Sequence, residues 1–373
     1  MKAWPVLGIV VMQAILLLAH WFVYHTFLVF QGNLGPAGTQ TLRVVLFLLA
    51  FSFTVAALVS FSFFNPLVTL IYKIAAIWLG FLNFFFLAAC ACWVVWFVLL
   101  VLGLHPDPAQ TRPLIADVLF CMAFLTGIYG LVNALWIRVR RITVHLANLP
   151  ESWRGRTALM VSDIHLGHVN GIRFVRRIVA LAARLAPDIV FIPGDIFDGT
   201  KADAVRLATA FKELSPPFGI YFSTGNHEEY GDEAGFLRAL RGAGVRVLVN
   251  EMVKVEGLQI VGVPYRDSTY PMRLRATLEA VRLDPGQASI LLNHVPNRLP
   301  IVEQAGIGLQ LSGHTHGGQI FPSTWFTRRI FGKFTNGLHW FGGLQVYTST
   351  GAGTWGPPMR VGTHPEVVLL RFE

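Results

Sequence analysis

Residues 309–318, Leu-Gln-Leu-Ser-Gly-His-Thr-His-Gly-Gly, run from a short apolar stretch straight into two histidines framed by glycines. Leu309 to Ser312 has the length and alternation of a strand, and the polar cluster begins where that strand must stop. The same arrangement recurs four times upstream. Val161-Ser162 leads into Asp163-Ile164-His165, and Phe191-Ile192-Pro193 leads into Gly194-Asp195. Phe222-Ser223-Thr224 leads into Gly225-Asn226-His227-Glu228, and Leu291-Leu292 leads into Asn293-His294. In open α/β sheets the ligand crevice lies beyond the carboxyl ends of the strands. Five such loops therefore converge on one place, where they gather Asp163, Asp195, Asn226, Asn293, His165, His227, His294, His314 and His316.

Around these loops the pattern predicts strands over 157–162, 189–193, 220–223, 245–249, 258–263, 289–292, 309–312, 344–348 and 367–372. Helical spacing is expected over 172–185, 203–214, 232–241 and 272–281. Strands alternating with helices, then strands following one another, indicate an α/β sandwich of two mixed sheets flanked by helices.

Histidine nitrogen mixed with carboxylate and amide oxygen suits Mn, Fe or Zn, and the absence of cysteine from these loops argues against a structural zinc cage. Asp-x-His and His-x-His put two ligands on one face of an extended segment. The candidates outnumber the needs of one ion, so a pair sharing a carboxylate is the economical reading. Two such ions clamp the attacking and leaving oxygens in phosphoryl transfer.

Asp163-x-His165, Gly194-Asp195, Gly225-Asn226-His227-Glu228, Asn293-His294 and Gly313-His314-Thr315-His316 together resemble the five ordered blocks of the calcineurin-like metallophosphoesterases. The resemblance covers about 142–372. It implies the two-sheet metallophosphoesterase sandwich and two divalent ions, with Mn the expected metal and Fe, Zn or a mixture as alternatives. It implies that Asp163, His165 and His316 hold one ion, that Asn226, His294 and His314 hold the other, and that Asp195 bridges them. His227 would stand beside the ions without binding them, protonating the leaving oxygen or steadying the phosphate; Asn226 counts with it as catalytic. The implied chemistry is in-line attack by a metal-bound hydroxide, with no covalent intermediate.

The rest of the chain has another character. Charged residues are 14% of the whole and apolar residues 54%, against about 25% and 45–50% in soluble domains. Up to Ile137 there are four basic residues (Lys2, Arg43, Lys73, Arg112) and two acids (Asp107, Asp117). A wholly soluble protein, a disordered chain and a disulfide-stapled one are all excluded. Cys90, Cys92 and Cys121 lie in this apolar part at no metal-type spacing. About 20 apolar residues cross a bilayer, so 1–137 is expected to be a transmembrane domain of four spans at about 5–30, 42–64, 76–104 and 114–137. Residues 67–75 read as an interfacial lead-in to the third span, and a hairpin near Asn83 lacks turn chemistry. The first run is too long for a cleaved signal. Residues 138–156 are expected to be a basic juxtamembrane linker and 157–373 the metallophosphoesterase domain. Lys2 before the first span, and Arg138, Arg140 and Arg141 after the last, place both ends in the cytoplasm by the positive-inside tendency. The catalytic domain is then expected on the cytoplasmic side of the inner (plasma) membrane.

Other residues are weighed individually. Asp198 and Glu228 read as supports of the site or as caps. His168 reads as pocket-lining or solvated, His20 and His25 as interfacial, Asp117 as a helix N-terminal charge, and Arg173, Arg176 and Arg177 as a solvated face. Residues 325–341 interleave aromatics with Arg328, Arg329 and Lys333, as a segment at a lipid headgroup boundary does; with His168, these three are the candidate substrate contacts. The functional expectation is a membrane-anchored phosphoesterase cleaving a phosphodiester or pyrophosphate, with a lipid-linked or membrane-proximal phosphate as its partner. Some relatives of this chemistry cleave UDP-2,3-diacylglucosamine to lipid X in lipid A synthesis, and the membrane association resembles theirs. The alternatives are a phospholipid or nucleotide phosphodiesterase, or a sensor or transporter with a metal-binding regulatory domain. No nucleic-acid role is expected, because the net charge of +9 has a simpler use against anionic lipid.

Overall fold

The computed structural model describes residues 3–32 and 34–373, with side chains from Val6 onward. The described residues form two compact units, one up to Val132 with Gly356–Met359, the other Asn133–Trp355 with Arg360–Glu373.

The first unit holds four helices, α1 (Ala3–Gln31), α2 (Gly35–Ser60), α3 (Pro66–Val101) and α4 (Pro108–Ala134). All four are long and apolar enough to cross a membrane, with mean hydropathy of 2.0 to 2.7 over their most apolar windows. The expected lead-in at 67–75 is not separate. Asn65 caps α3 by accepting from the Val68 N–H, Pro66 opens the helix, and Tyr72 is buried within it. Nothing in 67–75 breaks the hydrogen-bond ladder, so lead-in and span form one 36-residue helix. Similarly α4 begins before the expected 114 and runs through Pro113.

One reading of a polar residue is corrected here, that of Asp117. His20 is buried among the helices: its Nδ1 meets the Leu16 carbonyl at 2.7 Å, and its Nε2 accepts from the Trp78 indole at 2.9 Å. His25 stacks between Trp21 and Trp93. Asp117 lies well inside α4, away from its N-terminus, and accepts a hydrogen bond from Gln31.

The second unit carries twelve strands: β1 (Arg138–Val144), β2 (Thr157–Met160), β3 (Ile189–Pro193), β4 (Ile220–Ser223), β5 (Val245–Val247), β6 (Glu251–Val255), β7 (Leu258–Val263), β8 (Ser289–Asn293), β9 (Leu309–Ser312), β10 (Gly337–Phe341), β11 (Leu344–Thr348) and β12 (Glu366–Phe372). Its helices are α5 (Ile172–Leu185), α6 (Ala204–Ala208), α7 (Asn226–Tyr230), α8 (Glu233–Gly242), α9 (Tyr265–Ser268), α10 (Pro271–Ala280), α11 (Leu299–Gln304) and α12 (Ser323–Phe331). One six-stranded sheet has the order β1-β12-β2-β3-β4-β5 and the other β10-β11-β9-β8-β7-β6. Both are mixed: β2 to β5 are parallel, as are β7, β8, β9 and β11, while β6, β10 and β12 run against a neighbour.

Side-chain alternation explains the layering. In β3, Ile189 and Phe191 face the core between the sheets, packing with Ile290, Leu292, Leu309 and Leu311. Val190 and Ile192 face the opposite way, against Val175, Ile178, Val179 and Ala182 of α5. In β8, Leu291 faces Leu274 and Leu278 of α10. A strand buried on both faces must be apolar at every position, and Ile-Val-Phe-Ile-Pro is.

The region 138–156 is not a linker. Arg138–Val144 pairs in parallel with β12 over seven residues, and Trp153 is fully buried. The arginines of β1 are tolerated because β1 is an edge strand, where charge faces solvent and discourages further pairing.

Candidate metal centre

The polar loops at the carboxyl ends of β2, β3, β4, β8 and β9 meet where the two sheets adjoin. Asp163, His165, Asp195, Asn226, His227, His294 and His316 are buried, although each is polar. Five of the gathered residues hold left-handed backbone: Asp163 and His165 at φ 51°, Asp195 at 55°, His314 at 68° and His316 at 49°. A non-glycine residue in that region costs about 1 kcal/mol or more, and such strain clusters where function requires it. Glycines make the approach close enough. A Cβ on Gly225 would overlap the Asp195 carboxylate, and one on Gly313 would overlap Ser162 and Asp163.

Asp195 is central. Its Oδ2 lies 3.0 Å from His294 Nε2 and 3.9 Å from His165 Nε2, and its Oδ1 accepts from the His227 backbone N–H at 2.9 Å. On one side, Asp163 Oδ1 is 3.5 Å from His316 Nε2 and 3.9 Å from His165 Nε2, and the two histidine Nε2 atoms are 2.9 Å apart. On the other, His314 Nδ1 is 3.0 Å from Asn226 Oδ1. Ligand-capable atoms of Asp163, His165 and His316 lie within 4.8 Å of one another, and so do those of Asp163, Asp195 and His294. His165, Asp195 and His227 make a third such group.

The donor set fits a cation. His294 Nδ1 must donate to the Pro193 carbonyl 2.8 Å away, which leaves the buried Nε2, with no hydrogen-bond partner of proper geometry, aimed at a carboxylate. A lone pair facing an anion is stable only with positive charge between them. With protein groups alone that charge is a proton. Burial acts to lower the His294 pKa, but Asp195 and Asp163 override it and raise it to about 10. Asp195 shows the reciprocal effect: burial opposes ionisation, yet His294, His227 and His165 hold it well below the carboxylate range. Burial raises Asp163 to about 6 and, aided by the charge of His294, lowers His314 to about 4. Burial first, and cationic neighbours second, push His165 and His316 far down, keeping both imidazoles neutral. Neutral imidazoles beside carboxylates are the form that binds a divalent ion.

Supporting contacts orient the donors. His227 Nδ1 donates to the Asp198 carbonyl at 2.8 Å, leaving Nε2 as the free nitrogen. The Asp198 carboxylate accepts from Thr200. Glu228 accepts from the backbone N–H groups of Asp195, Phe197 and Gly225 and so ties the β3 and β4 loops together. Burial, reinforced by the charge on Asp195, raises its pKa to about 8.

Comparison with known proteins follows this geometry. Residues 157–318 match the family model of the calcineurin-like phosphoesterases. The chain is 30% identical over 287 residues to an uncharacterized metallophosphoesterase of Campylobacter jejuni, covering 74% of this chain and 76% of that protein. It is 34% identical to one from Aquifex aeolicus, covering 68% of this chain and 98% of the relative. The chain belongs to the metallophosphoesterase family. A further metallophosphoesterase relative, a zebrafish transmembrane protein with a metallophosphoesterase domain, is 32% identical over 65% of this chain, which spans 59% of that protein.

The candidate substrate contacts fare differently. His168 is buried near the Asp198 carboxyl rather than solvated, and it lies outside the three ligand groups. Arg329 turns over the Trp325 ring at 4.8 Å, and Lys333 donates to the Trp340 carbonyl. Arg328 lines a cavity of about 360 Å³ shared with Gly317, Thr324 and His364.

Sequence reasoning missed two features of this metallophosphoesterase. The first is an aromatic mouth: Tyr230 and Trp355 lie 5.6 Å from the His227 ring, and Tyr265 and Phe331 about 6 Å from His314. The second is Arg360, fully buried, whose guanidinium donates to the carbonyls of His316, Thr350 and Gly353. Burial lowers its pKa only to about 10, so it stays charged. Its partner loops lie in separate parts of the chain, and removing a buried charge that serves several carbonyls leaves all of them unpaired. Arg360→Met should therefore cost about 3 kcal/mol of stability, and Arg360→Lys should recover only part, because an ammonium cannot match the guanidinium fork. Thermal unfolding in detergent measures both.

Proposed function

We propose that the chain is a membrane-anchored, two-metal phosphoesterase that hydrolyses a phosphodiester or pyrophosphate bond in a lipid-linked substrate. The observation that supports this reading is the polar cluster in which Asp195 Oδ2 lies 3.0 Å from His294 Nε2 and 3.9 Å from His165 Nε2, with Asp163 and His316 beside His165 and with His314 bonded to Asn226; we assign Asp163, His165 and His316 to one ion, Asn226, His294 and His314 to the other, and Asp195 to both. Bound divalent ions supply Lewis acidity at that point, drawing charge from the phosphoryl oxygens. The residues do the rest. The cluster orients the phosphorus with its leaving oxygen toward His227, whose Nε2, in the imidazolium form, delivers a proton to that oxygen as the P–O bond breaks, while the attacking water gives up a proton in its place. The Asp198 carbonyl holds the Nδ1–H and so turns Nε2, with its proton, toward the leaving oxygen. Water provides the incoming oxygen, so each turnover yields two products with one new P–O bond. The catalytic domain is proposed to lie on the cytoplasmic side of the inner membrane, in keeping with the basic residues that flank the spans.

The four apolar helices support a substrate at the membrane, since a hydrolase of soluble esters has no need of them. UDP-2,3-diacylglucosamine is the specific candidate, with Mn the first metal to supply. The test is hydrolysis by detergent-purified protein of a soluble chromogenic diester beside UDP-2,3-diacylglucosamine, read as UMP release. Preference for the lipid substrate by tenfold or more in kcat/KM is expected. Cleavage of the soluble diester alone would retain the chemistry and discard the lipid substrate in favour of a nucleotide or other diester.

A further inference from the structure

A helix in a folded domain normally buries one face. α12 buries no residue over its nine positions. Trp325, Phe326 and Ile330 are 51%, 55% and 75% exposed. At 100° per residue they fall on one sector of the helix, with Arg329 among them and stacked on Trp325. The other side carries Thr324 and Arg328, which line the 360 Å³ cavity together with the edge of Trp325 at the boundary of the two faces, and Phe331, whose ring lies 6.2 Å from that of His314. The helix therefore has an apolar outward face and an inner face that walls the metal centre. From Ser323 to Phe341 there is no acidic residue.

We propose that α12 is an interfacial helix that docks on an anionic lipid bilayer and so holds the mouth of the site at the headgroup layer. Aromatic and branched apolar side chains interleaved with arginine are what a helix lying in that layer requires. The positive, acid-free stretch complements an anionic leaflet. The chain itself supplies the occupant. α4 ends at Ala134 and β1 begins at Arg138, and the three residues between them reach at most about 10 Å. The Arg138 N–H donates to the Pro365 carbonyl, next to His364 of the cavity that α12 lines, so a bilayer crossed by α4 is present at high effective concentration for α12. Presentation of an amphiphilic substrate to the centre rests on the phosphoesterase reading above; the docking does not.

The test uses the full chain in nanodiscs, with Cys90, Cys92 and Cys121 replaced by alanine and a spin label placed by Ile330→Cys. Met272→Cys, on the exposed surface of α10, serves as the solvent control. In discs containing phosphatidylglycerol, the oxygen-to-nickel accessibility ratio at position 330 should exceed that of the control several-fold, and it should fall in pure phosphatidylcholine. A ratio equal to the control in the anionic discs overturns the proposal. So does dipolar broadening between two labelled chains, which would mark the face as a contact between copies. Phe326→Ala with Ile330→Ala should lower hydrolysis of a lipid-embedded diester several-fold while sparing a soluble one. Because the label reports without turnover, failed docking is distinguishable from failure of the phosphoesterase reading.

Discussion

Asp195→Asn is expected to lower hydrolysis by about a thousandfold or more, because on the proposed reading the substitution removes the carboxylate that joins the two donor sets. Asparagine keeps the shape, so the loss isolates charge from packing. The Oδ1 contact to the His227 N–H survives. The Oδ2 position, 3.0 Å from His294 Nε2, loses its charge. His294 then has only Asp163, at 3.9 Å, to favour its positive form. Metal content, measured on the purified variant, should fall from two ions per chain to one or fewer. Unchanged metal with unchanged turnover would show that Asp195 is not the shared ligand.

His227→Ala has the next largest expected effect, a fall in kcat on the order of 10²–10³-fold, as for loss of a general acid, with both ions retained. Removing a proton donor matters most when the leaving group is a poor one. The loss should therefore be small for a nitrophenyl ester, whose leaving oxygen needs no proton, and large for an alkyl ester. A structural or ligand role predicts no such split. Because His227 shares a 4.8 Å group with His165 and Asp195, metal analysis must accompany the kinetics. If metal falls as far as in Asp195→Asn, His227 is a ligand and not the acid.

The central strands were legible because β3 is apolar throughout, β8 carries the run Ile290-Leu291-Leu292 and β9 alternates Leu with polar residues, and each stops at a polar loop. The strands that escaped notice, β1, β6 and β10, are all at sheet edges. Edge strands have one solvent-facing side and carry charge or scattered aromatics, as Arg-Val-Arg-Arg-Ile-Thr-Val does, so no apolar run marks them. That is also why 138–156 read as a linker. The single helix α3 was divided in the reading because its length exceeds a bilayer, although Asn65 and Pro66 form a clear start signal. Left-handed backbone at Asp163, His165 and Asp195 is set by the close approach of the loops and has no signature in local composition. Arg360 was illegible because its partners are backbone carbonyls, of the nearby Thr350 and Gly353 and of the distant His316, and a carbonyl leaves no mark on the sequence. The aromatic mouth draws Tyr230, Tyr265 and Trp355 from three separate segments, none of which forms a motif; Phe331 alone comes from the aromatic and basic run at 325–341.

The most direct test of the two-metal account is a metal count by mass spectrometry on detergent-purified wild-type protein, with hydrolysis followed through chelation and refilling. The account predicts two divalent ions per chain, loss of hydrolysis as they are stripped, and its return on refilling. Full hydrolysis by the stripped protein, or saturation at a single ion with full activity, would contradict it.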